Sequence, residues 1–182
     1  TSHANNQNNA AVFSFFGNQS QLQNLALSSG DDPGYLSNIV SDGRFLYYAK
    51  NKTANNSSIL IAASIDDGAI AWYKNYPQKI NNLVLSDEKI LFGADYIYSL
   101  NASDGSENWR VTQNQQKQNA LTSYVYKVNE GIVYSWQSIQ TNSYKFFSSK
   151  LSDGSYITNL GGLDTRYVTD ILFDSSNLYV VN

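Results

Sequence analysis

The residues of this chain that could do chemistry are carboxylates, hydroxyls, amides and indoles, with one imidazole and no thiol. Acidic pairs stand at Asp31-Asp32, before Pro33-Gly34, and at Asp66-Asp67, before Gly68, while Asp164 and Asp170 flank a strand entry. Two carboxylates held together could bind Ca²⁺ or act as a glycosidase pair. Beside a turn glycine they more simply cap backbone N–H groups and solvate a loop, and this is the preferred reading. The segment Asn101 to Glu107 lacks the ligand spacing of an EF-hand loop. His3 lies near the start of the chain, away from any periodic segment, so no ordered Ser-His-Asp or His-metal cluster can be built from it. Gly161-Gly162 is read as a turn between repeats, because no helix follows to offer its N-terminus to a phosphate. Trp72, Trp109 and Trp136 could stack on sugars. The first two recur at one spacing and so suit packing in a core, which leaves Trp136 as the more exposed candidate. No catalytic, cofactor-binding or metal-ligating residue is assigned.

Composition narrows the function classes. The net charge is −3 over 182 residues and charged residues make up 15%. Without a basic stripe for phosphates the chain does not suit nucleic acid. Its apolar runs are too short for a membrane-spanning helix. Hydrophobic residues reach 42% and aromatic residues 14%, enough for a sizeable core. The polar surface comes from hydroxyls and amides, including 22 Asn. The absence of Cys excludes a disulfide framework and thiolate metal sites. The chain starts at Thr1 rather than Met, as expected of a processed or excised segment. Sequons start at Asn18, Asn51, Asn55, Asn56 and Asn101, which makes these five the candidate N-glycosylation sites. Asn51, Asn55 and Asn56 fall in a polar stretch between two strands and are expected to be exposed. Chance in an Asn- and Ser-rich chain explains the sequons equally well.

These residues must be positioned by strands. Residues 1–10 show no apolar period and read as a flexible tail. From Ala11 onward, short apolar runs alternate with turn signals, the pattern of an all-β fold. One unit recurs as Ser41-Asp42-Gly43-Arg44-Phe45-Leu46, Ser86-Asp87-Glu88-Lys89-Ile90-Leu91, Asn129-Glu130-Gly131-Ile132-Val133 and Asp174-Ser175-Ser176-Asn177-Leu178-Tyr179. Aligning Phe45, Ile90, Ile132 and Leu178 gives a period near 45 residues. A second unit is Asp66-Asp67-Gly68-Ala69-Ile70-Ala71-Trp72, Ser103-Asp104-Gly105-Ser106-Glu107-Asn108-Trp109 and Ser152-Asp153-Gly154-Ser155-Tyr156-Ile157-Thr158, with Thr158 where the others carry Trp. Gly68, Gly105 and Gly154 are expected at positive φ in hairpin turns, the first and third turns being the tighter. In the middle repeat the four strands are placed at 82–85, 89–93, 96–100 and 107–111. Four antiparallel strands per period make a propeller blade.

The segment Ile97-Tyr98-Ser99-Leu100-Asn101-Ala102-Ser103-Asp104-Gly105-Ser106-Glu107-Asn108-Trp109-Arg110 resembles the repeat of quinoprotein-type (PQQ-like) β-propellers. In that family a strand, an acidic turn with Gly and a Trp-bearing strand end each blade. The likeness weakens around Gly154. Counting strands across the repeats gives a β-propeller, or a propeller segment, of about four four-stranded blades within residues 11–182: 36–75, 80–112, 121–160, and a shared blade from 11–27 plus 167–181, where the resembled family usually has about six to eight blades. A complete quinoprotein dehydrogenase would need a full ring, Ca²⁺ ligands and a catalytic carboxylate, and no matching constellation is present. The expected function is a non-enzymatic extracellular or cell-surface scaffold, or an adhesion module of a cell or virion. Its partners would be other copies of itself or surface proteins, with glycans and a homo-oligomer as further options, and no cofactor. A fragment of a quinoprotein-like dehydrogenase and a carbohydrate-binding propeller are the alternatives.

Overall fold

The computed structural model describes residues 34–112, 122–140, 143–159, 170–173 and 178–181. The described residues form strands and turns, with no helix among them. The middle repeat shows the architecture most simply. Strands β6 (Leu83–Ser86), β7 (Lys89–Gly93), β8 (Ile97–Asn101) and β9 (Glu107–Val111) pair antiparallel in sequence order. The sequence reading has two of these as observed and places the other two one residue early. Ile90, Leu91, Phe92, Ile97, Tyr98 and Leu100 are all buried, so β7 and β8 are covered on both faces. That is why their sequences run apolar without alternation.

The first repeat has the same plan with a broken first strand. Strands β1 (Tyr35–Leu36) and β2 (Val40–Ser41) both lie on one edge of β3 (Phe45–Asn51), which is followed by β4 (Ser58–Ser64) and β5 (Ile70–Tyr76). Between β1 and β2 the Ser37 N–H donates to the Ala49 carbonyl at 2.9 Å, and the Ser37 hydroxyl accepts the Ala49 N–H at 2.9 Å. A side-chain oxygen thus stands in for a backbone acceptor where the strand breaks. The third repeat comprises β10 (Thr122–Asn129), β11 (Ile132–Gln140), β12 (Ser143–Lys150) and β13 (Tyr156–Asn159). A hairpin of β14 (Asp170–Phe173) and β15 (Leu178–Val181) completes the described chain. The proposed tail 1–10 and the strands proposed within 11–27 lie outside the described residues.

First strands of successive sheets are neighbours, β2 beside β6, β6 beside β10 and β10 beside β14. The sheets therefore fan outward from this inner row as consecutive blades, and the chain has the β-propeller fold. One core cluster joins Tyr47, Leu60 and Tyr76 of the first blade to Ile90, Phe92 and Tyr98 of the second. Another joins Leu91, Ile97 and Trp109 to Val125, Val133 and Phe147 of the third. Between blades, close approach demands a small residue. At Gly93 a Cβ would run into the Ser123 backbone of the following blade.

The register corrects the repeat alignment. Phe45, Lys89 and Ile132 occupy one position, opposite Ser64, Asn101 and Lys150 respectively. Ile90 is equivalent to Leu46 and Val133, one residue on from the Phe45 and Ile132 of the sequence alignment. Between the first and second blades the reason is turn length, whereas the second and third share a two-residue turn and differ in carrying Lys89 or Ile132 at its exit. Ser86 pairs with Lys89 and Asn129 with Ile132 across two-residue turns, with positive φ at Asp87, Glu88, Glu130 and Gly131. In the first blade Ser41 pairs with Leu46. Its longer loop is held by Asp42 Oδ1, which accepts the Arg44 and Phe45 N–H groups at 2.8 and 2.7 Å.

The Asp-Gly turns are alike in all three blades, so the expectation of tighter first and third turns is corrected. Gly68, Gly105 and Gly154 have φ of 73, 71 and 72°, and each donates its N–H to the residue four earlier, Ser64, Asn101 or Lys150. A bulge follows on the fourth strand, at Ala71, Asn108 and Ile157, so that Trp72, Trp109 and Thr158 face Ala62, Ser99 and Ser148. The bulge aims each Trp at the next blade. The Trp72 indole lies over Gly105 and donates Nε1–H to the Ala102 carbonyl at 3.0 Å. Trp109 repeats this on Gly154 and Leu151, again at 3.0 Å. Packing between blades is therefore their role.

Candidate functional site

Of the carboxylates singled out by sequence, Asp66 and Asp67 are turn elements, and Asp104 and Asp153 of the other Asp-Gly turns match Asp67. Asp67, Asp104 and Asp153 each accept the N–H two residues on, from Ala69, Ser106 and Ser155, at 3.0, 2.8 and 2.8 Å. The Ala69 N–H and then the Ser64 hydroxyl hold the Asp67 carboxyl below the usual carboxylate range. For Asp104 and Asp153 the Ser106 and Ser155 hydroxyls, with their N–H groups, do the same. At Asp42 partial burial works against ionisation. Donors from Phe45, Tyr47 and Arg44 outweigh it, and its pKa is lowered. Asp66 is exposed beside Asp67 in the same turn, and its own N–H is bonded to the Ser64 hydroxyl at 3.2 Å. Among the described residues no three His, Cys, Asp or Glu side chains cluster so as to hold a metal ion. His3, Asn18, Asp31, Asp32, Gly161, Gly162 and Asp164 lie outside the described residues. Asp170 begins β14. Trp136, expected to be exposed, is half-buried on β11, opposite Tyr124 and Phe146.

Buried tyrosines are structural as well. The Tyr98 hydroxyl donates to Asp95 Oδ1 at 2.9 Å, and its ring stacks on Phe92 with centroids 5.1 Å apart. Burial first, and then Asp95, push its pKa up. Outside it Arg110 lies 5.2 Å from the Tyr96 ring centroid and 3.6 Å from Glu107.

The sequence reading missed the amides that clamp one blade to the next. Asn38 donates Nδ2–H to the Leu83 carbonyl at 2.9 Å and accepts the Leu83 N–H at 2.7 Å. Asn82 donates to the Val125 carbonyl of the third blade at 2.6 Å. Asn51 grips Ile80 in the same two-point manner, at 2.9 and 2.8 Å. A primary amide presents one acceptor and two donors, so it can pair with a backbone as another strand would. This corrects the reading of Asn51 as an exposed glycosylation site. It is 0% exposed, and a glycan on Nδ2 would displace the clamp. Asn55 and Asn56 are exposed, as expected. Asn55 Oδ1 accepts the Ser57 hydroxyl at 2.6 Å, and Asn101 Oδ1 accepts that of Ser103 at 3.0 Å. Asn101 is itself half-buried. The only advance signal for the clamps is an Asn standing just before a strand, at 38 and 82, or ending one, at 51.

The described residues also form a concave feature. At the outer rim between the second and third blades, a groove of about 160 Å³ is lined by Val111, Thr112, Phe147, Ser149, Asp153 and Tyr156, with Gly154 and Ser155. The Phe147 and Tyr156 rings stack at 6.5 Å, and Tyr156 is 46% exposed. The buried Ser149 hydroxyl has no hydrogen-bond partner. Rings beside hydroxyls and a carboxylate suit a small polar ligand with an apolar face.

No family model matches this chain, and no curated protein sequence matches it. Among solved structures, BamB from Moraxella catarrhalis is similar over 79% of this chain and 42% of its own, with a TM-score of 0.55 and 13% identity. A europium-containing methanol dehydrogenase is similar over 70% of this chain and 25% of its own, with a TM-score of 0.52 and 15% identity. Both have PQQ-like propeller folds, which supports the likeness read from the repeat. The chain spans less than half the length of either.

Proposed function

We propose that this protein is a non-enzymatic propeller scaffold, placed outside the cytoplasm at a cell or virion surface, whose rigid blades present loops and rims to protein partners. The observation that carries the proposal is where its polar groups are used. Asp42, Asp67, Asp104 and Asp153 hold turns, and Asn38, Asn51 and Asn82 hold blades together. The construction is rigid and inward-looking, as a scaffold requires. In this reading Asn55 or Asn56 and Asn101 carry glycans, and so does Asn18. Labelling intact source cells or particles with an antibody against the chain tests the location, and labelling only after permeabilisation refutes it. Mass spectrometry of natively purified protein tests the modification. Unmodified peptides across residues 50–58 and 101–103 would remove it. For enzymatic activity the measurement is an absorbance titration with pyrroloquinoline quinone and Ca²⁺. No saturable spectral change is expected, whereas a quinoprotein-like dehydrogenase fragment would give one.

The rim groove favours a second reading, a carbohydrate-binding propeller. Tyr156 would supply the stacking face, with Asp153 and Ser155 as hydroxyl partners. Glycan-array binding that disappears in Tyr156→Ala would favour this reading over the protein scaffold.

A further inference from the structure

Repeat equivalence sets two seams between blades against each other. Between the first and second blades, Ala62, Phe92 and Leu100 are buried in the shared core. The register puts Ser99, Ser135 and Ser149 at the same three positions between the second and third blades. Ser99 stands opposite Trp109, whose indole packs on Gly154 of the third blade. Ser135 and Ser149 stand opposite Phe147 and Val133, which share a core cluster with Leu91 and Ile97 of the second. All three hydroxyls therefore face one seam, and each serine is 0% exposed. Among the described residues these are the buried side-chain groups that have no hydrogen-bond partner.

A buried hydroxyl is ordinarily paired with protein, water or ligand, so three orphans in one seam need a reason. Ser149 points to one, because it lines the rim groove with Val111, Phe147, Asp153 and Tyr156. Where Leu100 fills the equivalent place in the second blade, the shorter Ser149 leaves room. The rim has changed in the opposite sense. Tyr156 takes the place of Glu107, and Val111 that of Lys74, so a charged margin at one seam is ringed and apolar at the other. The groove thus pairs a polar floor with apolar walls, the reverse of its counterpart.

We propose that this groove binds one neutral hexopyranose residue, with its apolar face on Tyr156 and its hydroxymethyl arm directed to the Ser149 hydroxyl. The inference rests on the carbohydrate-binding reading of this rim and adds the class of sugar and the buried residue that selects it. A space of about 160 Å³ is small beside the roughly 300–1,000 Å³ of pockets for drug-sized ligands, so one ring enters and the rest of a glycan stays in solvent. A hydroxymethyl group replaces part of the carbon that serine lacks relative to leucine, and its oxygen both donates and accepts. The ionised Asp153 at the rim disfavours a uronate. Lys150 already offsets that carboxylate, so the groove has no call for a cationic sugar.

Isothermal titration of the 182-residue chain with methyl glucoside, galactoside and mannoside, and with the 6-deoxy counterpart of each, tests the proposal. At least one hexoside should bind saturably, and its 6-deoxy counterpart about fivefold or more weakly, as expected for a lost buried hydrogen bond. Ser149→Ala keeps the space but removes the hydroxyl, so it should erase that preference, a coupling that a merely structural serine would not show. Ser149→Leu installs the residue found at position 100 and should abolish binding without lowering the melting midpoint. Methyl glucuronide should bind more weakly than methyl glucoside, and equal binding overturns the neutral class. Absence of saturable binding by every hexoside overturns the inference, as does a hydroxymethyl preference that persists in Ser149→Ala. Glycan-array binding lost in Tyr156→Ala but kept in Ser149→Leu overturns the inference and leaves the carbohydrate reading standing.

Discussion

Gly105 and Gly131 provide a matched pair for measuring how strongly the Trp lock joins blades. Both have positive φ, 71° and 73°. Alanine at either should meet the left-handed backbone cost of roughly 1–2 kcal/mol. Around Gly131 a Cβ would meet nothing within 4 Å. At Gly105 it would lie 2.9 Å from Cδ2 and Cε3 of Trp72, closer than packed atoms allow. The indole must tilt, which strains the 3.0 Å bond from Nε1–H to the Ala102 carbonyl. Overpacking of this kind costs about 1–3 kcal/mol, and the weakened hydrogen bond adds about 0.5–1.5 kcal/mol. Gly105→Ala should therefore destabilise by about 2.5–6.5 kcal/mol against about 1–2 for Gly131→Ala. For a chain of this size each kcal/mol shifts the midpoint by roughly 2–4 °C. Thermal melts of the two variants should thus differ by at least about 3 °C, with Gly105→Ala lower. Gly105→Val should be lower still, because a branched side chain fits the left-handed region worse. Equal midpoints for the two alanine variants would refute the lock.

Trp109→Phe keeps the ring over Gly154 but removes the donor to the Leu151 carbonyl. It should cost about 1–3 kcal/mol in urea denaturation, the range for a buried acceptor left without its partner. Asn51→Ala should cost at least as much, since it strips both the N–H and the carbonyl of Ile80 of their partner. An unchanged urea midpoint would show that this clamp is not formed. Asp42, Asp67, Asp104 and Asp153 all have lowered pKa values. Their contribution is complete above the unfolded carboxylate value near 4 and is lost as pH falls through the lower folded values. Melting midpoints should drop on acidification below about pH 4. The fourfold Asp→Asn variant, which keeps an acceptor at each turn, should drop less steeply.

Much of this protein can be read from its sequence because the repeat is written in local chemistry. The Asp-Gly turns at 68, 105 and 154 depend on residues within five positions of each glycine, so their geometry follows from composition alone. Strand β9 follows one such turn and β7 follows the short Asp87-Glu88 turn, and both run over the residues read from the sequence. Blade order follows from short connections between sheets. The shared position of Trp72 and Trp109 already pointed to packing rather than ligand stacking.

What tertiary structure decided depends on distance along the chain. Asn51 looks like an exposed sequon to any local reading, and only its meeting with Ile80, 29 residues away, makes it a buried clamp. Asn38 reaches across 45 residues and Asn82 across 43, spans that no window of sequence links. The offset of Ile90 from Phe45 arises because Asp42 holds a longer loop, which changes the count of residues but not the register of the sheet. The rim groove exists because the end of one blade, at Val111, comes beside the Phe147–Tyr156 pair of another. Exposure of Leu172 and Tyr179 is a tertiary fact for the same reason. Their types match those of core residues, and only the arrangement of blades leaves them about half exposed.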